Sequence, residues 1–281
     1  MSDREITTVT CRVLDTGHCL ASEHHMLRSG KRRKIECHAL VALLQHPREG
    51  WLLWDTGYSS RLIAETRRWP FWLYRVATPL RLRPELEVIA QLPRLGIAVG
   101  EIRHVIVSHF HADHIAGLRD FPDAQIIASR EAYQSVERLQ GFGALRRAFV
   151  PGLLPNDLPQ RLRLIDRFDS EALGPLGPTC DLFGDGSLRL VPLPGHARGQ
   201  LGLLARTDRG QMLFTADGCY LREAVRTNQP PHRITHLIVD DPAQVRETLS
   251  RLHRFAQEQP DVEIVPTHCP EAYRQYVETP S

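Results

Sequence analysis

Four side chains that can bind a metal ion lie within six consecutive positions of the sequence: His109, His111, Asp113 and His114. They follow the apolar segment RHVIVS, which is typical of a buried strand. If the strand continues, His109 and His111 stand at positions i and i+2 and leave the same face. The other two residues then follow where the chain turns into a helix. Because Zn²⁺ accepts imidazole nitrogen and carboxylate oxygen as ligands, the pattern predicts a metal site at the end of this strand.

Three further residues of the same chemical types stand directly after apolar segments elsewhere in the chain. His196 occurs in VPLPGHARGQ, Asp217 in MLFTADG and His268 in VEIVPTHCP. A single histidine in such a place is ordinarily a polar residue satisfied by hydrogen bonds, and a packing role in the core explains these positions poorly. We therefore expect several strand ends to bring these residues and the HFHADH segment together at one rim.

The elements that must position these residues include one arrangement that occurs twice. TTVTCRVLD (7–15) is predicted as a strand. CHALVALLQ (37–45) and WLLWDTG (51–57) flank the turn HPREG, and LGLLAR (201–206) and QMLFTADG (211–218) flank TDRG in the same way. Each unit ends with an aspartate followed by a small residue, at Asp55 and Asp217. We interpret the pair as a weak internal duplication of a strand–turn–strand unit.

Helices are predicted at RPELEVIAQLPRLG (83–96), after His114, at SREAYQSVERLQ (129–140) and at PAQVRETLSRLHRFAQEQ (242–259). The last of these has an apolar stripe that consists of Val245, Leu249, Leu252 and Phe255. Pro and Gly cluster in VPGLLPNDLP (150–159) and LGPLGPTC (173–180), which read as surface loops. The expected packing is helices that cover two sheets.

Composition narrows the classes of function. The 281 residues are 42% apolar, and 35 basic residues balance 33 acidic ones to a formal charge of +2, which favours a small-molecule protein over one that binds nucleic acid. The start, MSDREITTVTCRVLDTG, lacks the apolar core of a signal peptide, and no stretch approaches about 18 consecutive apolar residues. Six scattered cysteines without a C-x-x-C pair favour reduced thiols. We expect a cytoplasmic protein without a transmembrane segment.

The motifs WDTG, HFHADH, PGH, TADG and THC together resemble those of the metallo-β-lactamase superfamily, and the resemblance covers nearly all of the chain. It implies an αββα sandwich, that is, two mixed β-sheets flanked by helices, in a single domain over residues 1–281. It also implies two sets of metal ligands that share a bridging residue: His109, His111 and His196; Asp113, His114 and His268; and Asp217 as the bridge.

The implied chemistry is metal-dependent hydrolysis. Two metals about 3.5 to 4 Å apart can share a hydroxide and clamp the attacking and leaving oxygens of an ester, so no serine or cysteine nucleophile is needed. Zinc is the expected metal, although the same ligands accept iron, manganese or cobalt. Asp55, which precedes the Thr-Gly of WDTG, is expected to orient a ligand by hydrogen bonding rather than to bind metal.

Within the superfamily the chain is most similar to the N-acyl-homoserine lactonases, because of its LDTGHC strand end, its length and Tyr220, three residues after Asp217. The resemblance implies that Asp113 and Tyr220 are catalytic, and that Tyr220 donates a hydrogen bond to a substrate oxygen. A tyrosine packed at the base of a loop is the alternative. Two other functions stay open: hydrolysis of another ester, thioester or phosphodiester, and a metal-binding sensor without catalysis.

One basic aromatic segment departs from the resemblance to the superfamily. Residues 67–83, RRWPFWLYRVATPLRLR, carry five arginines and no acidic residue, within an expected insertion or loop at about 61–85. Its aromatic residues are Trp69, Phe71, Trp72 and Tyr74. The segment is interpreted as part of an apolar acyl pocket, as a homodimer interface, as an amphipathic membrane-surface segment or as a solvated loop.

Overall fold

The computed structural model describes residues 7–279, which form two β-sheets with helices on their outer faces. The acidic N-terminal residues 1–6, on which the expectation of a non-exported chain partly rests, lie outside the described residues. Among residues 7–279, no helix is both long and apolar enough to cross a membrane.

The strands are β1 (Thr10–Ser22), β2 (Lys34–His46), β3 (Gly50–Trp54), β4 (Leu80–Arg81), β5 (Ile102–Val107), β6 (Gln125–Ser129), β7 (Leu162–Ile165), β8 (Cys180–Asp181), β9 (Leu188–Pro192), β10 (Leu201–Thr207), β11 (Gly210–Ala216) and β12 (Glu263–Pro266). The α-helices are α1 (Glu23–Met26), α2 (Ser60–Glu65), α3 (Trp72–Ala77), α4 (Val88–Gln91), α5 (Ala112–Ile115), α6 (Arg130–Val136), α7 (Gly141–Arg146), α8 (Leu158–Arg161), α9 (Arg222–Thr227), α10 (Pro242–Glu258) and α11 (Pro270–Tyr273). Short 3₁₀ turns connect many of these elements, and a π-helical turn, Arg274–Glu278, follows α11.

The two sheets are both mixed. The seven-stranded sheet has the order β4-β1-β2-β3-β5-β6-β7, with antiparallel pairs up to β3 and parallel pairs from β3 to β7. The five-stranded sheet has the order β12-β11-β10-β9-β8, in which only β11 and β12 pair in parallel. This arrangement confirms the predicted αββα sandwich.

The alternation of side chains along β2 explains why both faces of the larger sheet are covered. Leu40 and Leu44 belong to the core between the sheets, whereas Val41 and Leu43 belong to the core beneath the outer helices. Successive residues of a strand point to opposite faces, so a strand buried on both faces reads as a continuous apolar run. Each fully buried aliphatic side chain contributes roughly 1.5–3 kcal/mol to folding.

Both predicted strand–turn–strand units form antiparallel hairpins, β2–β3 and β10–β11. Each hairpin ends with a residue in the left-handed region, Asp55 with φ 59° and Ala216 with φ 45°. The chain therefore bends sharply where each sheet ends. Asp55 and Asp217 therefore stand at these bends, directly after the last residue of β3 and of β11.

Several local predictions were wrong. The helix expected over 83–96 is broken into Pro84–Leu86, α4 and Leu92–Leu95, because prolines occur within it and Gly96 ends it in the left-handed region. The segment 67–83 is not a plain loop, since it contains α3 and β4. In α10, Val245 is only partly buried, and Thr248 joins the buried stripe instead.

Asp185 links the two sheets. It lies in the turn between β8 and β9 and accepts hydrogen bonds from His46 (2.9 Å to Nε2), at the end of β2, and from Arg48 (2.7 Å). Ser187 donates to it through both its backbone nitrogen and its hydroxyl. Although burial opposes the shift, the hydrogen bonds from Ser187 and His46 lower the pKa of Asp185 to about 2.

We expect Asp185→Asn to lower the free energy of unfolding at pH 7 by about 2 kcal/mol, since each unit of pKa difference between folded and unfolded states corresponds to about 1.4 kcal/mol. The folded pKa is depressed, so this stabilisation is present above the unfolded pKa near 4 and declines as the pH falls toward 2. Urea unfolding at pH 7 and pH 3 measures it, with the exposed Asp123→Asn as control. A difference from wild type that does not shrink at pH 3 contradicts this account.

Candidate metal centre

The HFHADH segment lies in a loop and not in the strand before it. Strand β5 ends at Val107, and the chain continues through the loop into α5, which begins at Ala112. The prediction that His109 and His111 continue the strand is therefore wrong. Ser108 leaves the sheet because its backbone nitrogen donates to the Asp55 carboxylate at 2.8 Å. The rings of the two histidines nevertheless lie close together, with centroids 4.5 Å apart and planes inclined by 72°.

The structure brings all seven sequence-predicted ligands together at the strand ends. Within each of two groups, one donor atom per residue lies within 4.8 Å of the others: His109, His111, His196 and Asp217; and Asp113, His114 and His268. The loop that carries His196 follows Gly195, whose φ is 126° and whose added Cβ would lie 2.4 Å from the backbone nitrogen of Val245. This loop therefore requires glycine at 195.

Asp217 lies between the two groups. Its Oδ2 is 3.1 Å from Nε2 of His196 in the first group. Its Oδ1 is 3.3 Å from Nε2 of His268 and 3.5 Å from Nε2 of His114 in the second. A carboxylate with one oxygen toward each group is suited to bind two cations at once.

A network behind the histidines fixes which ring nitrogen faces the centre. Asp55 accepts from Nδ1 of His114 at 2.7 Å and from the hydroxyl of Ser108 at 2.7 Å. Because that hydroxyl donates to Asp55, it accepts from Nδ1 of His109 at 3.0 Å. Both imidazoles thus hold their Nδ1 proton outward and leave Nε2 for the centre, as is usual for histidines that bind metal.

His268 is oriented from another direction. Its Nδ1 donates to the backbone carbonyl of His38, in β2, at 2.6 Å. Its Nε2 faces Asp113 at 3.3 Å. The seven-stranded sheet therefore orients a ligand carried by the loop after β12 of the other sheet.

Buried atoms without partners provide a test of whether the cluster fits metal ions. Among the described residues, Nε2 of His109, Nε2 of His114 and Oδ1 of Asp217 are buried and make no hydrogen bond. Leaving a buried polar atom without a hydrogen bond costs about 1–3 kcal/mol, and bound cations would give all three atoms a partner. The donor set of imidazoles and carboxylates fits zinc and similar divalent ions.

The electrostatics of the cluster lead to the same conclusion. Burial lowers the pKa of His109 far below its usual value and that of His111 to about 3. Both imidazoles are therefore neutral and can bind a metal ion through a ring nitrogen. Against the effect of burial, the neighbouring carboxylates raise the pKa of His114 to about 10 and that of His268 well above its usual value. Protons on these two rings provide the positive charge that the carboxylates require, and bound cations would provide it instead.

Tyr220 lies beside the first group. Its hydroxyl is 2.9 Å from Nδ1 of His196, whose Nε2 faces His111 and Asp217. Burial raises the pKa of Tyr220 well above its usual value, so its hydroxyl keeps its proton. If Nδ1 of His196 donates to the phenolic oxygen, the tyrosine's own O–H stays free to donate elsewhere.

A cavity of about 570 Å³ opens onto the cluster. The residues of the cluster that line it are His111, Asp113, His196, Asp217, Tyr220 and His268. Its remaining walls are largely apolar and come from β1, α1 and β2, from α3 and α7, and from the 3₁₀ turn Arg233–Leu237 with Ile238. Such a cavity can hold a small molecule with a polar head at the cluster and an apolar tail along the walls.

Sequence reasoning missed three contributors to this site. Ser108 and the carbonyl of His38 orient ligands, and the turn that carries Ile234 and Leu237 forms a cavity wall. Ser108 had a usable signal, since it immediately precedes the HFHADH segment. A backbone carbonyl carries no signal in the sequence, because any residue provides one.

Comparison with known proteins shows similarity over nearly the whole chain. N-acyl homoserine lactonase AttM from Azorhizobium caulinodans is 25% identical over 281 residues, with 98% of each chain covered. The structure of AiiA from B. thuringiensis with N-decanoyl-L-homoserine at its active site superposes with a TM-score of 0.74 at 18% identity, over 97% of this chain and 99% of AiiA. AidC, a dizinc quorum-quenching lactonase, gives 0.63 at 13% identity, over 94% and 92%. Residues 35–268 match the family profile, and the chain belongs to the metallo-beta-lactamase superfamily.

Proposed function

We propose that the protein is a hydrolase that uses two divalent metal ions to open the lactone ring of N-acyl-homoserine lactones. The observation that carries this proposal is that two groups of buried ligands meet at Asp217, with Tyr220 beside them, in one largely apolar cavity. The similarity to N-acyl homoserine lactonase AttM over 98% of both chains supports a lactone as the substrate. Zinc is the proposed metal, with iron, manganese and cobalt as alternatives. A lactonase of this kind would act in quorum quenching.

The ligands are assigned in two sets that share their last member: His109, His111, His196 and Asp217; and Asp113, His114, His268 and Asp217. Two divalent ions bound there supply Lewis acidity for the carbonyl oxygen and make water a nucleophile near neutral pH. The hydrogen bonds from Asp55, Ser108 and the His38 carbonyl hold the imidazoles in the required orientation.

Two residues of the cavity act on the substrate. Tyr220 donates its hydroxyl proton in a hydrogen bond to the oxygen on which negative charge develops. Asp113, which lines the cavity, accepts the proton that the attacking water releases and passes it to the ring oxygen when the carbon–oxygen bond breaks. The product is a hydroxy acid, which at neutral pH releases one proton to the solvent.

The apolar walls support a substrate with an acyl tail. Leu73, Tyr74 and Ala77 from the basic aromatic segment line the cavity, as do Ile234 and Leu237. Of the two tryptophans of this segment, Trp69 is 64% exposed and Trp72 is 42% exposed, so neither serves the cavity wall. The segment therefore has an inner face for the acyl chain and an outer face suited to contact a second copy of the chain or a membrane surface.

The remaining features of the proposal concern the chain as a whole. All six cysteines are free, which supports a cytoplasmic location. The seven-stranded sheet contributes to both apolar cores, which supports a single domain. The near balance of acidic and basic residues supports a small-molecule partner rather than nucleic acid.

We expect the metal-loaded protein to hydrolyse N-decanoyl-homoserine lactone, because its polar head suits the cluster and its tail suits the apolar walls. Hydrolysis releases acid, which a pH indicator follows. A short-chain lactone, an aryl ester, a thioester and bis-p-nitrophenyl phosphate serve as comparison substrates, and chelator-treated protein serves as the control. Turnover of the aryl or phosphate esters without turnover of any lactone would show that the protein is a different hydrolase.

A further inference from the structure

A second set of potential metal ligands lies on the strand pair β1–β2, away from Asp217. His18 and His38 are directly opposite each other in the antiparallel register, and their ring centroids are 5.3 Å apart. Glu36 precedes His38 by two residues, so it lies on the same face of β2. The register shifts between Asp15 and His18, and this irregularity turns His18 toward its two neighbours.

The distances among these three side chains suit one divalent cation. Oε1 of Glu36 is 3.6 Å from Nε2 of His18, and Oε2 of Glu36 is 3.7 Å from Nε2 of His38. One donor atom from each residue lies within 4.8 Å of the others. Two donors bound to one tetrahedral zinc ion are roughly 3.4 Å apart, given metal–ligand distances of about 2.0–2.2 Å. The side chain of Glu36 is 57% exposed, so it is free to rotate toward both imidazoles.

The surroundings of His38 resemble those of a metal-binding histidine. Its Nδ1 is 3.1 Å from Oδ1 of the buried Asp15, an arrangement that places the proton on Nδ1 and leaves Nε2 free to bind. Tyr273 stacks on the ring with centroids 3.6 Å apart and planes inclined by 7°.

A route for the ion also exists. Glu36, His38 and Tyr273 line an open cleft of about 510 Å³, which is distinct from the cavity at Asp217. The side chain of His38 is only 4% exposed, whereas that of His18 is 23% and that of Glu36 57% exposed. An ion that arrives through this cleft would thus meet the exposed Glu36 before it reaches the nearly buried His38.

We propose that His18, Glu36 and His38 form an additional divalent-metal site, which binds zinc or a similar transition metal with water as the fourth ligand. Its donor set of two imidazoles and one carboxylate is one that zinc accepts. The His38 carbonyl accepts the hydrogen bond from His268, so the proposed site and the main cluster are neighbours on strand β2.

To test this site, bound metal is first removed from the protein with a chelator. The protein is then dialysed to equilibrium against Zn²⁺, and the bound zinc is measured by elemental analysis. Glu36→Gln and His18→Asn are each expected to bind one equivalent less than wild type. The initial rate of lactone hydrolysis is expected to stay unchanged in both variants. Excess Zn²⁺ should also raise the melting temperature of wild type more than that of either variant, since binding to the folded state alone stabilises it.

His104→Gln is the matched control. His104 faces Glu49 at 3.8 Å on the same sheet and, among residues 7–279, belongs to none of the clusters of three or more potential metal ligands. The His104→Gln variant should bind as many equivalents of Zn²⁺ as wild type. Equal stoichiometry in wild type and in both site variants overturns the proposal, and so does the same loss in His104→Gln. Because the variants are compared with wild type, the result does not depend on how many ions the cluster around Asp217 binds.

Discussion

Asp217→Ala is expected to lower kcat/KM for lactone opening by more than 100-fold and to reduce the metal content from about two ions per chain. Asp217 is the only residue assigned to both ligand sets, and its two oxygens face His196 on one side and His114 and His268 on the other. Removing it leaves both proposed ions without a shared ligand and removes one negative charge between two cations. Elemental analysis and steady-state kinetics on the same preparation measure both effects.

Asp55→Asn is the matched comparison. Asp55 is also buried and also faces His114, but through Nδ1, the nitrogen that points away from the centre. Its φ of 59° is a conformation that asparagine tolerates, so the backbone is preserved. An amide can no longer serve both Ser108 and His114 as an acceptor in the same way. The expected cost is 10- to 100-fold in metal affinity, which excess metal should partly restore.

Which of the two variants loses more activity tests whether Asp217 is the bridging ligand. If Asp55→Asn loses more activity at saturating metal than Asp217→Ala, then Asp217 does not bridge the two sets. If gently purified and reconstituted wild type holds one ion or none, the mechanism with two metals is wrong, whatever the variants do.

The sequence predicts the fold well because its strongest patterns are local. The hairpins β2–β3 and β10–β11 are each specified by apolar strands around a short polar turn, and both form as expected. The long helix α10 is specified by its apolar stripe and by Asp241, which caps it. The seven ligand candidates could be singled out because they lie in or just after the segments that end apolar strands. The role of Tyr220 and the division of the ligands into two sets came from the resemblance to the superfamily.

The sequence predicts less where tertiary contacts decide. Tyr74 and Ile234 are distant in sequence and line the same cavity only because the tertiary fold brings α3 and the turn Arg233–Leu237 to it. The helix predicted over 83–96 breaks because packing and two prolines override its periodicity. His109 leaves the strand because Asp55 binds the backbone of Ser108, a contact between positions 53 residues apart. No local pattern encodes such contacts.

Tyr220→Phe is expected to lower kcat for lactone opening on the order of 10- to 1000-fold, as for other donors that stabilise a developing oxyanion. The substitution should change kcat more than KM, because the hydroxyl binds the charge that develops in the transition state more strongly than it binds the neutral ester. The low end of the range is favoured if bound metals stabilise the same oxygen.

The tautomer of His196 decides whether this hydroxyl is free to act. It lies 2.9 Å from Nδ1 of His196, and a proton on that nitrogen would be donated to the phenolic oxygen, which leaves the tyrosine O–H directed at the cavity. Phenylalanine preserves the ring and its edge-on packing against His196, so folding and metal content should not change. Tyr133→Phe, on α6 and packed beside Phe110, controls for loss of a tyrosine hydroxyl elsewhere. If Tyr220→Phe keeps the kcat and KM of wild type, Tyr220 serves packing alone, and the proposed lactonase activity loses the residue that distinguishes it from hydrolysis of other esters.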